Sequence, residues 1–117
     1  MPHDLVIYQK PTCTNCRRAY ALLKERGVDV ESVNYYLDPI PKAKLVELLG
    51  KMQITPRELL RTTEPIYREL GLAANTFSDD ALVDAMVAHP DLIQRPIVER
   101  GDRAVLGRPV ERIEALL

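Results

Sequence analysis

Leu5-Val6-Ile7-Tyr8-Gln9-Lys10-Pro11-Thr12-Cys13-Thr14-Asn15-Cys16-Arg17-Arg18 is the stretch on which the fold turns. A short apolar run at 5–8 leads through a proline to both cysteines of the chain, and residues 19–23 have helix-forming composition. A strand followed at once by a helix carries Cys13 to the helix's first turn. Unpaired backbone N–H groups and the positive end of the helix dipole favour a thiolate there over a thiol. Lys10 and Arg17 add positive charge, with Arg18 beyond and Thr14 in the same turn. Cys13 is therefore the candidate nucleophile, and Lys10, Thr14 and Arg17 are its expected thiolate environment.

Outward from this stretch, a helix is expected over 13–26, closed by Gly27, and a second strand within 28–36, ending before Asp38-Pro39-Ile40-Pro41. The handedness of short crossovers makes these two strands parallel. The middle of the chain reads as helical. Leu45, Leu48 and Leu49 make one apolar face over 42–52, and Thr55-Pro56-Arg57-Glu58 is a capping box with proline at the first helical position. Ser78-Asp79-Asp80 opens a further helix with an apolar stripe at Leu82, Val83, Met86 and Val87, and His89-Pro90 ends it, His89 serving as a C-terminal cation.

Two strands follow at 96–99 and 104–106, joined by Arg100-Gly101-Asp102-Arg103, where the Arg-Gly-Asp triplet reads as a hairpin turn and not as an adhesion signal. A last helix at 110–117 would face Ile113, Leu116 and Leu117 inward. Tyr35, Tyr36 and Phe77 read as packing residues. A strand–helix–strand half and a strand–strand–helix half, separated by a helical insertion at about 42–90, give an α/β, thioredoxin-like arrangement: a mixed four-stranded sheet in one domain over 1–117.

Composition narrows the chemistry. The 117 residues are 46% hydrophobic and 28% charged, with a net charge of −1, which fits an ordinary globular domain and argues against a dedicated nucleic-acid surface. No apolar run approaches membrane-spanning length, and Met1-Pro2-His3-Asp4 leads straight into a strand, so a cytoplasmic location is expected. Two cysteines are not a disulfide framework. Only His3 and His89 could join them around a metal, and no spacing supports it, so no metal site is expected. Redox or nucleophilic chemistry is the better use of the pair.

An ordered set of segments carries a family resemblance: Ile7-Tyr8 through Pro11-Thr12-Cys13, then Tyr35-Tyr36-Leu37, Glu58-Leu59-Leu60-Arg61, Glu64-Pro65, Glu69-Leu70-Gly71-Leu72, His89-Pro90, Arg95-Pro96-Ile97-Val98 and Gly107-Arg108-Pro109. From about residue 5 to 117 the chain resembles the glutaredoxin-coupled arsenate reductases of the ArsC family, which also includes Spx-type transcription regulators. The resemblance implies that Cys13 attacks arsenate, or a similar oxyanion, held by Arg61, Arg95 and Arg108. It implies glutathione as co-substrate, glutaredoxin as partner with thioredoxin the other possible donor, and no bound cofactor.

Each arginine also has a reading of its own. Arg61 follows Leu59-Leu60 and is expected on the opposite face of the capped helix, Arg95 precedes a strand, and Arg108 follows one at Gly107. A guanidinium offers a planar fork of donors matching two oxygens of a tetrahedral anion, and it keeps its charge near neutral pH. Pro96 is expected to be cis, since thioredoxin-like folds place a cis proline beside the redox cysteine.

The chain departs from its best-known relatives at Gln9 and Lys10, where they carry histidine and asparagine, and at Cys16, where serine is common. Lys10 and the helix dipole are then expected to lower the thiol pKa. Cys16 has two readings: a resolving or disulfide partner for Cys13, or a small buried residue with an inert thiol. Two alternatives to the reductase follow. One is an Spx-type regulator binding the RNA polymerase alpha subunit and switched by Cys13 and Cys16; the other is a glutathione-dependent thiol reductase that does not act on arsenate.

Overall fold

The computed structural model describes residues 4–117, so His3 lies outside the described residues. The chain divides into two compact units, one of residues up to Asp38 together with Arg95–Leu117, the other Pro39–Gln94.

The first unit holds the sheet. Its strands are β1 (Leu5–Gln9), β2 (Val30–Asn34), β3 (Ile97–Arg100) and β4 (Arg103–Leu106), in the order β2-β1-β3-β4. β1 runs parallel to β2, with Leu5 opposite Val30 and Gln9 opposite Asn34. β3 is antiparallel to both β1 and β4, which makes the sheet mixed and the fold thioredoxin-like. β3 starts at Ile97 because Pro96 has no N–H to give to the ladder. Arg100 pairs with Arg103 across a two-residue turn, and Gly101 takes the positive φ (62°) that a tight hairpin requires.

Helix α1 (Thr14–Glu25) begins one residue later than expected, because Cys13 is its N-cap in extended conformation. Cys16, Ala19 and Leu23, three and four residues apart, form its buried face. Ala19 and Leu23 pack with Leu5, Ile7, Val30 and Val98 of the sheet and with Ile113 and Leu116. Burying each large aliphatic side chain in such a cluster contributes about 1.5–3 kcal/mol. Gly27 ends the helix at a φ of 71°.

The C-terminal segment corrects an expectation. The expected last helix is a 3₁₀-helix at Val110–Leu116, and Leu117 lies beyond it and does not face inward. With three residues per turn, Val110, Ile113 and Leu116 eclipse one another on the side that packs against the core, and Leu117 is left 39% exposed.

The second unit is helical: α2 (Lys42–Met52), α3 (Pro56–Leu59), α4 (Pro65–Glu69) and α5 (Asp79–Ala88), followed by a 3₁₀ turn at Pro90–Leu92. Both halves of the capping box at the start of α3 are formed: Thr55 accepts from the Glu58 N–H and Glu58 accepts from the Thr55 N–H. Ser78 caps α5 through the Ala81 N–H. Leu45, Leu48, Leu59, Leu82, Val83, Met86 and Leu92 are all buried. No helix among the described residues is long and apolar enough to cross a membrane.

Candidate functional site

Cys13 occupies a position where an oxygen-bearing side chain is usual. Its N–H donates to the Lys10 carbonyl at 2.9 Å, which turns the chain, and its Sγ accepts the Cys16 backbone N–H at 3.4 Å. The sulfur thus takes one of the N–H groups that a helix start leaves unpaired. Burial works against ionisation of Cys13. The Cys16 N–H and thiol, and then the Arg95 guanidinium, outweigh it and hold the thiol below its ordinary pKa. Cys16 goes the other way. Burial, helped by the neighbouring Cys13 charge and opposed by the Lys10 N–H, pushes its thiol up to about 12. The two cysteines are free and chemically unequal: Cys13 is the thiol that ionises more readily, and Cys16 is the one held neutral beside it.

Arg95 sits where the chain enters β3 and is only 7% exposed. Its peptide bond to Pro96 is cis, as is Arg108–Pro109. Burial opposes the Arg95 charge, but Tyr35, Tyr36 and Cys13 more than offset that and raise its pKa. One terminal nitrogen, Nη1, donates to the Tyr36 hydroxyl at 3.4 Å, while Nε is buried with no hydrogen-bond partner among the described residues. A buried donor without an acceptor is costly in a finished structure, and an anion is an acceptor suited to it. Arg108 Nη1 reaches the Arg95 carbonyl oxygen at 3.4 Å, so the second arginine stands against the backbone of the first.

The sheet unit therefore brings together Cys13, Cys16, Lys10, Arg95, Pro96 and Arg108. Arg61 belongs to the helical unit and is not on a helix face as expected. It follows the extended C-cap of α3, Leu60; its N–H donates to the Leu92 carbonyl at 2.8 Å, and its Nε pairs with Glu64 Oε1 at 3.1 Å. Leu60, bridged to Ile93, can no longer continue the helix, which is why Arg61 leaves it. Thr14 is the first helical residue and is exposed.

Arg17 is also exposed, and the groups acting on the Cys13 thiolate are Cys16 and Arg95 in its place. Lys10 places its ammonium 4.7 Å from the centre of the Tyr36 ring. Among the described residues no three His, Cys, Asp or Glu side chains cluster as metal ligands would.

Sequence reasoning took Tyr36 for packing, and its contacts with Arg95 and Lys10 correct that. The signal was the parallel pairing. With Gln9 opposite Asn34, the residues just after β2 lie level with the loop that follows β1.

A family model described as the ArsC family matches residues 8–116. An arsenate reductase of Neisseria meningitidis serogroup A is 37% identical over 115 residues, covering 97% of this chain and 98% of the relative. The Escherichia coli protein named "Uncharacterized protein YfgD" is 41% identical over 114 residues, 97% and 96% of the two chains. The solved structure of an arsenate reductase from Vibrio cholerae is 35% identical and superposes with a TM-score of 0.95 over 100% of both chains. Nearly the whole chain, from β1 through the C-terminal 3₁₀-helix, is covered by these likenesses, and it belongs to the ArsC family.

Proposed function

We propose that this chain is an arsenate reductase in which Cys13 is the nucleophile. The observation that carries the reading is the N-cap sulfur of Cys13, its pKa lowered, beside a buried arginine whose Nε has no acceptor among the described residues. The relatives named arsenate reductase support the substrate class.

Arg95 and Arg108 bind the oxyanion, and the family resemblance adds Arg61 to them. The Cys13 thiolate attacks the arsenic of arsenate, an As–S bond forms, and an arsenic-bound oxygen leaves as water after protonation. Glutathione thiolate then attacks Cys13 Sγ. An S–S bond forms, the As–S bond breaks, and its electron pair stays on arsenic, which departs as arsenite. Glutaredoxin, or thioredoxin in its stead, exchanges with the mixed disulfide and restores the thiolate. Two thiols are oxidised to a disulfide for each arsenic reduced by two electrons, and no step calls for a bound cofactor.

Cys16 takes no part as a nucleophile in this scheme. A buried thiol with a pKa raised to about 12 is a poor attacking group near neutral pH, which weighs against the Cys13–Cys16 switch of an Spx-type regulator. NADPH oxidation coupled through glutathione reductase, glutaredoxin and glutathione tests the proposal. Arsenate-dependent turnover that disappears in Cys13→Ser is expected. No turnover with either glutaredoxin or thioredoxin would overturn it and leave a thiol reductase with another substrate.

A further inference from the structure

Tyr36 has no part in the chemistry above, yet its hydroxyl receives a hydrogen bond from Arg95. Its ring has two neighbours. The Lys10 ammonium lies 4.7 Å from the ring centre, and the Tyr35 ring packs at 5.1 Å between centroids with an interplanar angle of 34°. A cation over the ring and a tilted aromatic neighbour both restrict a phenol, so its hydroxyl has a defined place. Arginine, by contrast, has a long side chain with much rotamer freedom to lose.

A guanidinium is a rigid planar fork, and fixing one terminal nitrogen fixes the plane of the rest. With Nη1 on Tyr36, the buried Nε is a donor open to an acceptor from outside the chain. This also gives Lys10 a task. Its charge lies over the Tyr36 ring.

We propose that Tyr36 is a positioning residue for oxyanion binding: its hydroxyl, with the ring in contact with Lys10 and Tyr35, orients the Arg95 guanidinium beside Cys13. The inference rests on the reading of Cys13 as nucleophile and Arg95 as oxyanion ligand, and it adds a residue to which neither role belongs.

Tyr36→Phe keeps the ring, its packing and the cation above it, and removes only the acceptor. Losing one hydrogen bond of ordinary net strength corresponds to about a three- to tenfold weakening. The expected result is a KM for arsenate raised by that factor, with kcat changed by less than about twofold.

A second readout needs no arsenate: the pH dependence of Cys13 alkylation by iodoacetamide, followed by peptide mass spectrometry. Arg95 helps to hold the thiolate, so Tyr36→Phe moves that curve to higher pH. In an Arg95→Met background (Arg95→Lys if the first variant does not fold) Tyr36→Phe should move it no further. An unchanged curve, or the same shift with and without Arg95, overturns the proposal. If the wild type fails to turn over arsenate, the functional reading falls, and the alkylation curves still decide the role of Tyr36.

Discussion

Gly107→Ala tests how tightly the loop bearing Arg108 is packed against Pro96. Gly107 is buried, and its N–H donates to the Pro96 carbonyl at 2.8 Å. A Cβ at this position would stand 3.0 Å from Pro96 Cγ, 3.2 Å from Ile113 Cδ1 and 3.4 Å from Ile113 Cγ1. Neither neighbour yields easily. Pro96 is a buried ring, and Ile113, at 0% exposure, is part of the main apolar cluster. Overpacking of this kind costs about 1–3 kcal/mol. The methyl also restricts the unfolded chain, which returns about 0.4–1 kcal/mol. At the middle of both ranges the net is a loss of about 1.3 kcal/mol, which at about 4 °C per kcal/mol for a domain of this size lowers Tm by about 5 °C. Thermal and urea unfolding followed by circular dichroism would measure it, with the urea m-value unchanged if the native state stays compact. A variant that melts at or above the wild-type temperature would refute the packing argument, because Pro96 and Ile113 would then have room to move.

The remaining predictions concern the helix cap and the second cysteine. Ser78→Ala removes the acceptor for the Ala81 N–H and should cost about 1 kcal/mol by urea unfolding; no loss would mean that water replaces the cap without penalty. The pKa of Cys16 is higher folded than unfolded. Its contribution to stability is therefore complete below the ordinary thiol range and is lost as pH rises through that range toward about 12. The Tm of Cys16→Ala should accordingly fall less steeply than that of wild type over this alkaline window. Parallel curves would contradict the burial of a neutral thiol.

Local rules made much of the fold legible. The apolar run before Pro11, the leucine spacing of Lys42–Met52 and the capping box at Thr55 each named an element that the structure contains. What escaped depended on tertiary pairing. The 3₁₀ geometry of Val110–Leu116 follows from packing against the sheet, and an apolar period of three is hard to tell from 3.6 over so short a segment. The departure of Arg61 from its helix requires the bridge between Leu60 and Ile93, residues far apart in the chain.

In the candidate site, Cys13 was legible because helix starts have a definite chemistry. The position of Lys10 over Tyr36 was not, since a charge next to a cysteine in sequence says nothing of where a flexible ammonium settles. Tyr36 was read as apolar packing because an aromatic residue after a strand usually is, and only the register of β1 with β2 reveals its other neighbours.

The central claim is that Cys13, and not Cys16, forms the covalent intermediate with arsenate. Intact-protein and peptide mass spectrometry after incubation with glutathione, with and without arsenate and with glutaredoxin omitted, tests it most directly. The account predicts a glutathione adduct on Cys13 that forms only when arsenate is present and that glutaredoxin then removes. An adduct on Cys16, or one that forms on Cys13 equally without arsenate, would contradict it.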